Sequence, residues 1–288
     1  MKPIKKRYRL LCALLALCVL GTGVGVVVYH GEWWFPLLER MERHGALALT
    51  GVVYSGEARH WTYEELVATD GVTASNNLLL VNAEHPLPEG YLPTLEEYNG
   101  AKMHPLMIAP YVALRDDVQA KTGVRIYVAS DYRTPEEQAD ILASAEDGIA
   151  AQLGCSEHEA GLALDVYAPY LAGINFLRSR AGRTVNRVCH EYGYVIRYPV
   201  DKEDVTGIEY EPWHLRYVGA PHAMLMQESG LTLEEYVEAL SPSAWYVYGE
   251  YWISRRSADD LSLPTGWTTC EISPDNTGYY IVTLSFLA

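Results

Sequence analysis

Two short stretches carry the residue types of a hydrolytic metal centre. One is Ser156-Glu-His158-Glu-Ala-Gly161-Leu-Ala163-Leu-Asp165, and the other is Glu211-Pro-Trp213-His214-Leu-Arg216-Tyr217-Val-Gly219. Together they offer two imidazoles and one carboxylate to grip a divalent cation, with a second carboxylate beside the last imidazole. A catalytic zinc site has three such protein ligands and an open position for water. The extra carboxylate is what that site needs to take the proton from the water. Two neutral histidines and one aspartate leave a zinc centre with a single positive charge, enough to hold hydroxide near neutral pH. A lone histidine is more often a satisfied polar residue, and His60, His85, His104, His190 and His222 are read that way. Four groups within two compact motifs are harder to dismiss, and the chemistry they suggest is that of a zinc peptidase. A thiol mechanism built on Cys155 and His158 is the weaker reading, because a nucleophile and base so close on one loop rarely align.

The surrounding pattern supplies elements to position these groups. Residues 106 to 120 place apolar side chains at helical spacing, ended by Gly123. Val124 to Ala129 alternates as a strand, and Thr134 with Glu137 then forms a capping box with Pro135 at the first helical position. A helix to about Leu153 is expected there, with Arg133 at the strand-to-helix turn, a place where side chains point into clefts. Leu162 to Tyr167 reads as a strand bearing Asp165, residues 173 to 192 as a helix, and Tyr194 to Pro199 as a strand. Trp213 to Val218 reads as a last strand opened by His214, and Leu233 to Leu240 as a closing helix. The expected fold is α+β, with an antiparallel sheet carrying the site. Trp213 and Arg216 are read as packing and orienting residues.

The flanks divide the chain further. Residues 1 to 30 carry Lys2, Lys5, Lys6, Arg7 and Arg9 and no acid, and Leu10 to Tyr29 is uncharged. Such a run covers the ~30 Å hydrocarbon layer of a bilayer. Basic residues before it keep that tip in the cytoplasm and send the rest outward. A retained transmembrane helix is expected; a cleaved leader followed by secretion is the alternative. Glu32-Trp33-Trp34-Phe35 resembles an aromatic interface belt. Residues 31 to 75 read as a stalk or lead-in, with a short helix at Leu37 to Leu49 and a strand at Gly51 to Tyr54. Residues 76 to 240 read as the catalytic domain. Residues 241 to 288 read as a small β appendage, with strands at Trp245 to Ser254, Thr268 to Ile272 and Tyr279 to Phe286, too small to stand alone and so docked. Beyond residue 30 the chain has 17 bases against 37 acids, a net charge of −20, which makes nucleic acid an unfavourable partner. Of five cysteines, two fall in the apolar run and three in the remainder, so at most one disulfide could form in the soluble part.

The segments Ser130–Gln138, Ser156–Asp165, Tyr194–Pro199 and Glu211–Gly219 resemble those of the VanY-like D-alanyl-D-alanine carboxypeptidase family. The similarity runs from about Leu78 to Gly219, and Ser273-Pro-Asp275-Asn276 is similar to a segment of some members. It implies a Hedgehog/DD-peptidase-like fold and a bacterial enzyme that uses one zinc ion to remove the terminal D-alanine from peptidoglycan stem peptides. Carried over by position, it implies His158, Asp165 and His214 as zinc ligands and Glu211 as the catalytic base. It implies Arg133 as the stabiliser of the oxyanion, and Gln138, Ser156 and Tyr198 as the lining of the pocket for the terminal D-residue. Cys155 departs from the family pattern and is read as packing. Two alternatives stand beside this reading: an LD-carboxypeptidase acting on tetrapeptide stems, and a non-catalytic wall-binding module that keeps zinc for structure.

Overall fold

The structure is a computed structural model that describes residues 30–42, 49–144 and 151–286. In chain order its elements begin with α1 (Gly31–Glu42), β1 (Ala58–His60), α2 (Tyr63–Val67), β2 (Val72–Ala74), β3 (Glu96–Tyr98) and β4 (Ala101–Met103). Then come α3 (Pro105–Thr122), β5 (Tyr127–Ser130), α4 (Pro135–Ser144), β6 (Ala163–Tyr167), α5 (Arg180–Val188), β7 (Tyr194–Ile196), α6 (Glu203–Thr206) and β8 (His214–Tyr217). The chain closes with α7 (Ala220–Ser229), α8 (Leu233–Ala239), β9 (Trp245–Tyr248), β10 (Tyr251–Arg256), β11 (Ser262–Pro264), β12 (Thr269–Pro274) and β13 (Tyr280–Ser285).

Period-two alternation in β6 decides how the site is carried. Leu164 and Val166 point into the core and are buried, which turns Asp165 to the opposite face. The site sheet runs β5-β6-β8-β7 and is antiparallel throughout. Its register sets Asp165 directly across from His214, and a bulge in β5 brings Ser130 level with Asp165. Behind the sheet, α3 contributes Met107, Tyr111, Leu114 and Val118, a spacing that keeps all four on one helical face. Burying each such side chain contributes roughly 1.5–3 kcal/mol before entropy is counted. Gly123, at φ 75, ends the helix in the left-handed conformation that a side chain would disfavour.

The expected helix over 173–192 is broken into three pieces. A 3-10 turn covers Gly173–Arg178, α5 follows, and a second 3-10 turn covers Cys189–Tyr192. Ser179 causes the first break: its backbone is extended, and its hydroxyl accepts from Gly182 N at 2.7 Å to cap a fresh helix. The capping box at Thr134 and Glu137 is present, with both reciprocal bonds made. The run Leu78 to Val81 is buried without forming a strand.

The C-terminal strands recruit the stretch read as a lead-in. A five-stranded sheet runs β2-β12-β13-β10-β9, in which β2 lies parallel to β12 with Val72 opposite Cys270. β1 pairs with β11, and the strand expected at Gly51 to Tyr54 reduces to one bridge between Val52 and Trp245. The short helix expected at 37–49 lies earlier, as α1, and residues 43–48 fall outside the described residues. Asn276 ties the β body to the rest: its amide nitrogen donates to Leu80 O, His85 O and Pro86 O at 2.9–3.2 Å. The transmembrane segment expected over 10–29 falls outside the described residues; among those described, no helix is long and apolar enough to cross a membrane.

Candidate metal centre

Across the β6–β8 ladder, the ligand atoms of His158, Asp165 and His214 lie within 4.8 Å of one another. His158 Nε2 is 3.4 Å from Asp165 Oδ2, and His214 Nδ1 is 3.1 Å from Asp165 Oδ1. The two imidazole rings stand edge to face, 5.0 Å between centroids. Glu211, which opens the turn leading into β8, places Oε2 3.5 Å from His214 Nδ1. His214 N donates to Glu211 O at 3.1 Å, so the backbone itself fixes the carboxylate's origin beside the ligand.

The hydrogen bonds around the rings settle which nitrogen faces the centre. His158 Nδ1 sits 2.7 Å from the Asp131 carbonyl oxygen, which can only accept, so Nδ1 carries the proton and Nε2 offers its lone pair. On His214 the roles reverse. Its Nε2 lies 3.3 Å from Glu157 Oε2 and donates to it, leaving Nδ1 aimed at Asp165 and Glu211. Each ring is thus oriented by an acceptor behind it, the outer support that metal-binding histidines need.

Glu157 is the residue the motif reading passed over. It is fully buried, and Oε1 accepts from Arg197 Nε at 2.6 Å and Arg216 NH1 at 2.7 Å. Arg197 also grips Glu234, while Arg216 donates to Asn77 O and Leu79 O. Burial pushes the Glu157 carboxyl up, but Arg216 and Arg197 outweigh it and hold the group well below the usual carboxylate range. The sequence carries only half of the signal: Arg197 and Arg216 each follow an apolar residue in a strand-like run, where a charge needs a buried partner, but nothing local names Glu157 as that partner.

Charges at the centre follow the same logic. Asp165 is pushed up by burial, yet His158 and His214 hold it far below its ordinary value. Burial disfavours a charged His214, but the Asp165 and Glu157 carboxylates on either side raise it to about 10. Glu211 is raised, mainly by burial and then by Asp165, against the pull of His214. Asp165 Oδ1 is buried without a hydrogen-bond partner even though His214 Nδ1 is close. A carboxylate with His214 Nδ1 at one oxygen and His158 Nε2 at the other suits a cation, which would take the place of the proton that the carboxylates favour on His214. Nitrogen and carboxylate donors in this number fit zinc.

Arg133 occupies the strand-to-helix turn as expected. Its NH1 donates to Gln138 Oε1 at 2.7 Å, its NH2 to Ser130 Oγ at 3.1 Å, and its backbone N to His158 O at 3.2 Å. Gln138 is buried, and its nitrogen donates to Ala151 O, so both ends of the amide serve the protein and the residue steadies Arg133. Ser156 is buried two residues before His158. The Tyr198 ring packs 4.8 Å from that of His214, and burial, with Glu157 and Glu211 adding, raises its hydroxyl well above the ordinary value. Cys155 is half-buried beside these groups, with its thiol raised by burial and by Glu159, which leaves it a poor nucleophile.

Fold and site together describe an antiparallel sheet that carries a candidate hydrolytic metal centre. A family model described as VanY, D-alanyl-D-alanine carboxypeptidase, matches residues 100–220. The bifunctional D-Ala-D-Ala dipeptidase and D-Ala-D-Ala carboxypeptidase VanXYC of Enterococcus gallinarum is 36% identical over 182 residues, covering 58% of this chain and 96% of that protein. The chain therefore belongs to the VanY-like D-alanyl-D-alanine carboxypeptidase family. A D-alanyl-D-alanine carboxypeptidase of Enterococcus faecalis is 35% identical over 179 residues; the match covers 56% of this chain and 65% of that relative. Among solved structures, the vancomycin resistance D,D-dipeptidase VanXYg in complex with a D-Ala-D-Ala phosphinate analog aligns with a TM-score of 0.62 and 29% identity, over 73% of this chain and 94% of its own. A glutamate-to-alanine variant of the D,D-pentapeptidase VanY in complex with Zn(II) aligns with a TM-score of 0.50 and 33% identity, over 56% of this chain and 98% of its own. The LD-carboxypeptidase LdcB aligns with a TM-score of 0.52 and 32% identity, over 60% of this chain and 92% of its own.

Proposed function

We propose that this chain is a membrane-anchored D-alanyl-D-alanine carboxypeptidase that works outside the cytoplasm on peptidoglycan stem peptides, with one zinc ion held by His158, Asp165 and His214. The convergence of those three ligands within 4.8 Å carries the reading. Zinc bound there supplies Lewis acidity and acidifies a coordinated water. Glu211 serves as the base: its carboxylate, with Oε2 3.5 Å from His214 Nδ1, is placed to take a proton from the attacking water and return it to the departing D-alanine nitrogen. Arg133, clamped by Gln138 and Ser130, holds a positive charge for the oxyanion of the tetrahedral intermediate. Tyr198 and Ser156 line the wall beside His214 and His158. Extracytoplasmic placement rests on the basic tip and the uncharged run Leu10 to Tyr29.

The same machinery suits a D-alanine following an L-centre, and the likeness to LdcB favours keeping that second reading. A non-catalytic wall-binding module is disfavoured because a retired site has no need of Glu211 or of the clamp on Arg133. The test is D-alanine release from a D-Ala-D-Ala-ended pentapeptide and from a tetrapeptide, with and without chelator, by the parent and by Glu211→Ala. Chelator-sensitive release from the pentapeptide, lost by about 10²–10⁴-fold in Glu211→Ala while zinc is retained, is expected. Release from the tetrapeptide alone would select the LD reading. Release from neither, or an undiminished Glu211→Ala, would overturn the enzyme assignment.

A further inference from the structure

The helix that follows the uncharged run has two faces: one packs on the protein, and the other meets it through Arg40 at its edge, whose Nε lies 2.7 Å from Asp201 Oδ2. On the inner face of α1, Phe35 is 2% exposed under the Arg187 guanidinium, and a Cβ on Gly31 would strike Leu177 O. Glu32 turns inward toward Arg178, and Glu39 accepts from Tyr210. Opposite them lie Trp33, Leu37 and Met41, exposed by 61%, 58% and 80%, with Leu38 at the rim at 38%. At ~100° per residue the first three fall within about 80° of arc, on the far side of the helix from Phe35. The stripe is about 12 Å long, at 1.5 Å per residue from Trp33 to Met41.

Beside this stripe stands a concentration of positive charge that is out of character for the chain. From Ile174 to Val188 there are four arginines, Arg178, Arg180, Arg183 and Arg187, and no acid, in a polypeptide whose net charge beyond residue 30 is −20. Arg183 and Arg187 reach over the rings of Trp34 and Phe35, which sets the cluster against α1. Arg180 and Arg187 are exposed. An exposed apolar helical stripe with tryptophan at one end and arginines alongside matches the surface of a bilayer rich in anionic lipid: acyl boundary for the stripe, headgroups for the guanidiniums.

Resting on the membrane placement proposed above, we propose that α1 is an interfacial helix. Its Trp33, Leu37, Leu38 and Met41 face lies in the outer surface of an anionic phospholipid bilayer, and the Arg178–Arg187 cluster binds the headgroups beside it. Only His30 separates α1 from the uncharged run, and α1 is packed onto the catalytic body through Phe35, Gly31 and Glu39. The enzyme is thereby laid against the membrane instead of hanging from a tether. Its reachable substrates are stem peptides presented at the membrane surface, such as those on lipid-linked wall precursors.

The test places a benzoylphenylalanine photoprobe at Leu37, Met41 or, as a control on another surface segment, the still more exposed Leu92 of the full-length chain, reconstituted in vesicles of phosphatidylglycerol and phosphatidylethanolamine. Probes at Leu37 and Met41 are expected to form phospholipid adducts and the one at Leu92 not to. Exchanging phosphatidylglycerol for phosphatidylcholine, or introducing Arg180→Glu with Arg187→Glu, should lower the yield several-fold. A protein–protein adduct at Leu37 and Met41 would identify a second copy as the occupant. That result, the absence of any lipid adduct, or equal labelling from Leu92 would overturn the proposal. Lipid adducts in a preparation that releases no D-alanine would leave the interfacial helix standing and remove the enzymatic reading instead.

Discussion

Replacing Glu157 by glutamine is the sharpest probe of how the centre is held. The substitution keeps the shape but removes a fully buried charge that faces three donors, Arg197 at 2.6 Å, Arg216 at 2.7 Å and His214 at 3.3 Å. An amide can answer only some of them, and its own NH2 must face a donor. Stripping one partner from a buried ion pair costs about 3–5 kcal/mol. Here Arg197 keeps Glu234, and Arg216 keeps the Asn77 and Leu79 carbonyls, so the lower end applies. About 3 kcal/mol corresponds to a fall in Tm of roughly 6–12 °C for a chain of this class. Loss of the acceptor behind His214 should also weaken zinc binding about 10–100-fold, read by competition with a chromogenic chelator. Glu157 is held below its ordinary pKa of 4.5 in the folded chain, so its contribution is present above that pH. It fades as pH falls toward the folded value, and the gap between parent and variant should close in acid. A Tm within about 2 °C of the parent with unchanged zinc affinity would refute this account of the site.

Other perturbations follow from single contacts. Arg133→Ala should lower kcat about 10²–10³-fold, and Arg133→Lys should not restore it, because one ammonium cannot span Gln138 and Ser130; steady-state kinetics on the pentapeptide decide. Asn276→Gly keeps the φ of 62° available but deletes three side-chain bonds to Leu80, His85 and Pro86, for an expected loss of about 2–3 kcal/mol in urea unfolding. His222 is buried between the Tyr236 hydroxyl and Thr283 Oγ1, and burial lowers its pKa to about 3. The unfolded ring protonates near pH 6.5 while the folded one does not. Parent stability should therefore fall relative to His222→Gln by up to about 1.4 kcal/mol per pH unit as pH drops below 6.5, measured by denaturant titration.

The site was legible because its residues cluster along the chain. Asp165 and His214 announce themselves through residue type, and the strand alternation around each puts them on one face, so the pairing of β6 with β8 needed only the right register. Arg133 was legible from Thr134-Pro135 and Glu137, a purely local signal. Glu157 was not, since its role depends on Arg197 and Arg216 arriving from 40 and 59 residues away. The same reason hid the union of the two flanks. Ser75 and Glu271 bond at 2.7 Å across 196 residues, and no local pattern in the short β2 foretells a parallel partner so distant. Boundaries moved where a side chain intervened, as at Ser179, whose hydroxyl starts α5 and splits what apolar spacing alone reads as one helix.

The parallel pairing of β2 with β12 also sets the order in which the molecule can be finished. Val72 meets Cys270 only after the long stretch of chain between them has been made, because the edge it joins is β12. The site sheet has all four of its strands by residue 217, whereas β2 must wait, unpaired, for β12. A chain broken before Thr269 would therefore leave β2 without the strand it lies against, so a short early element is completed only by one made much later.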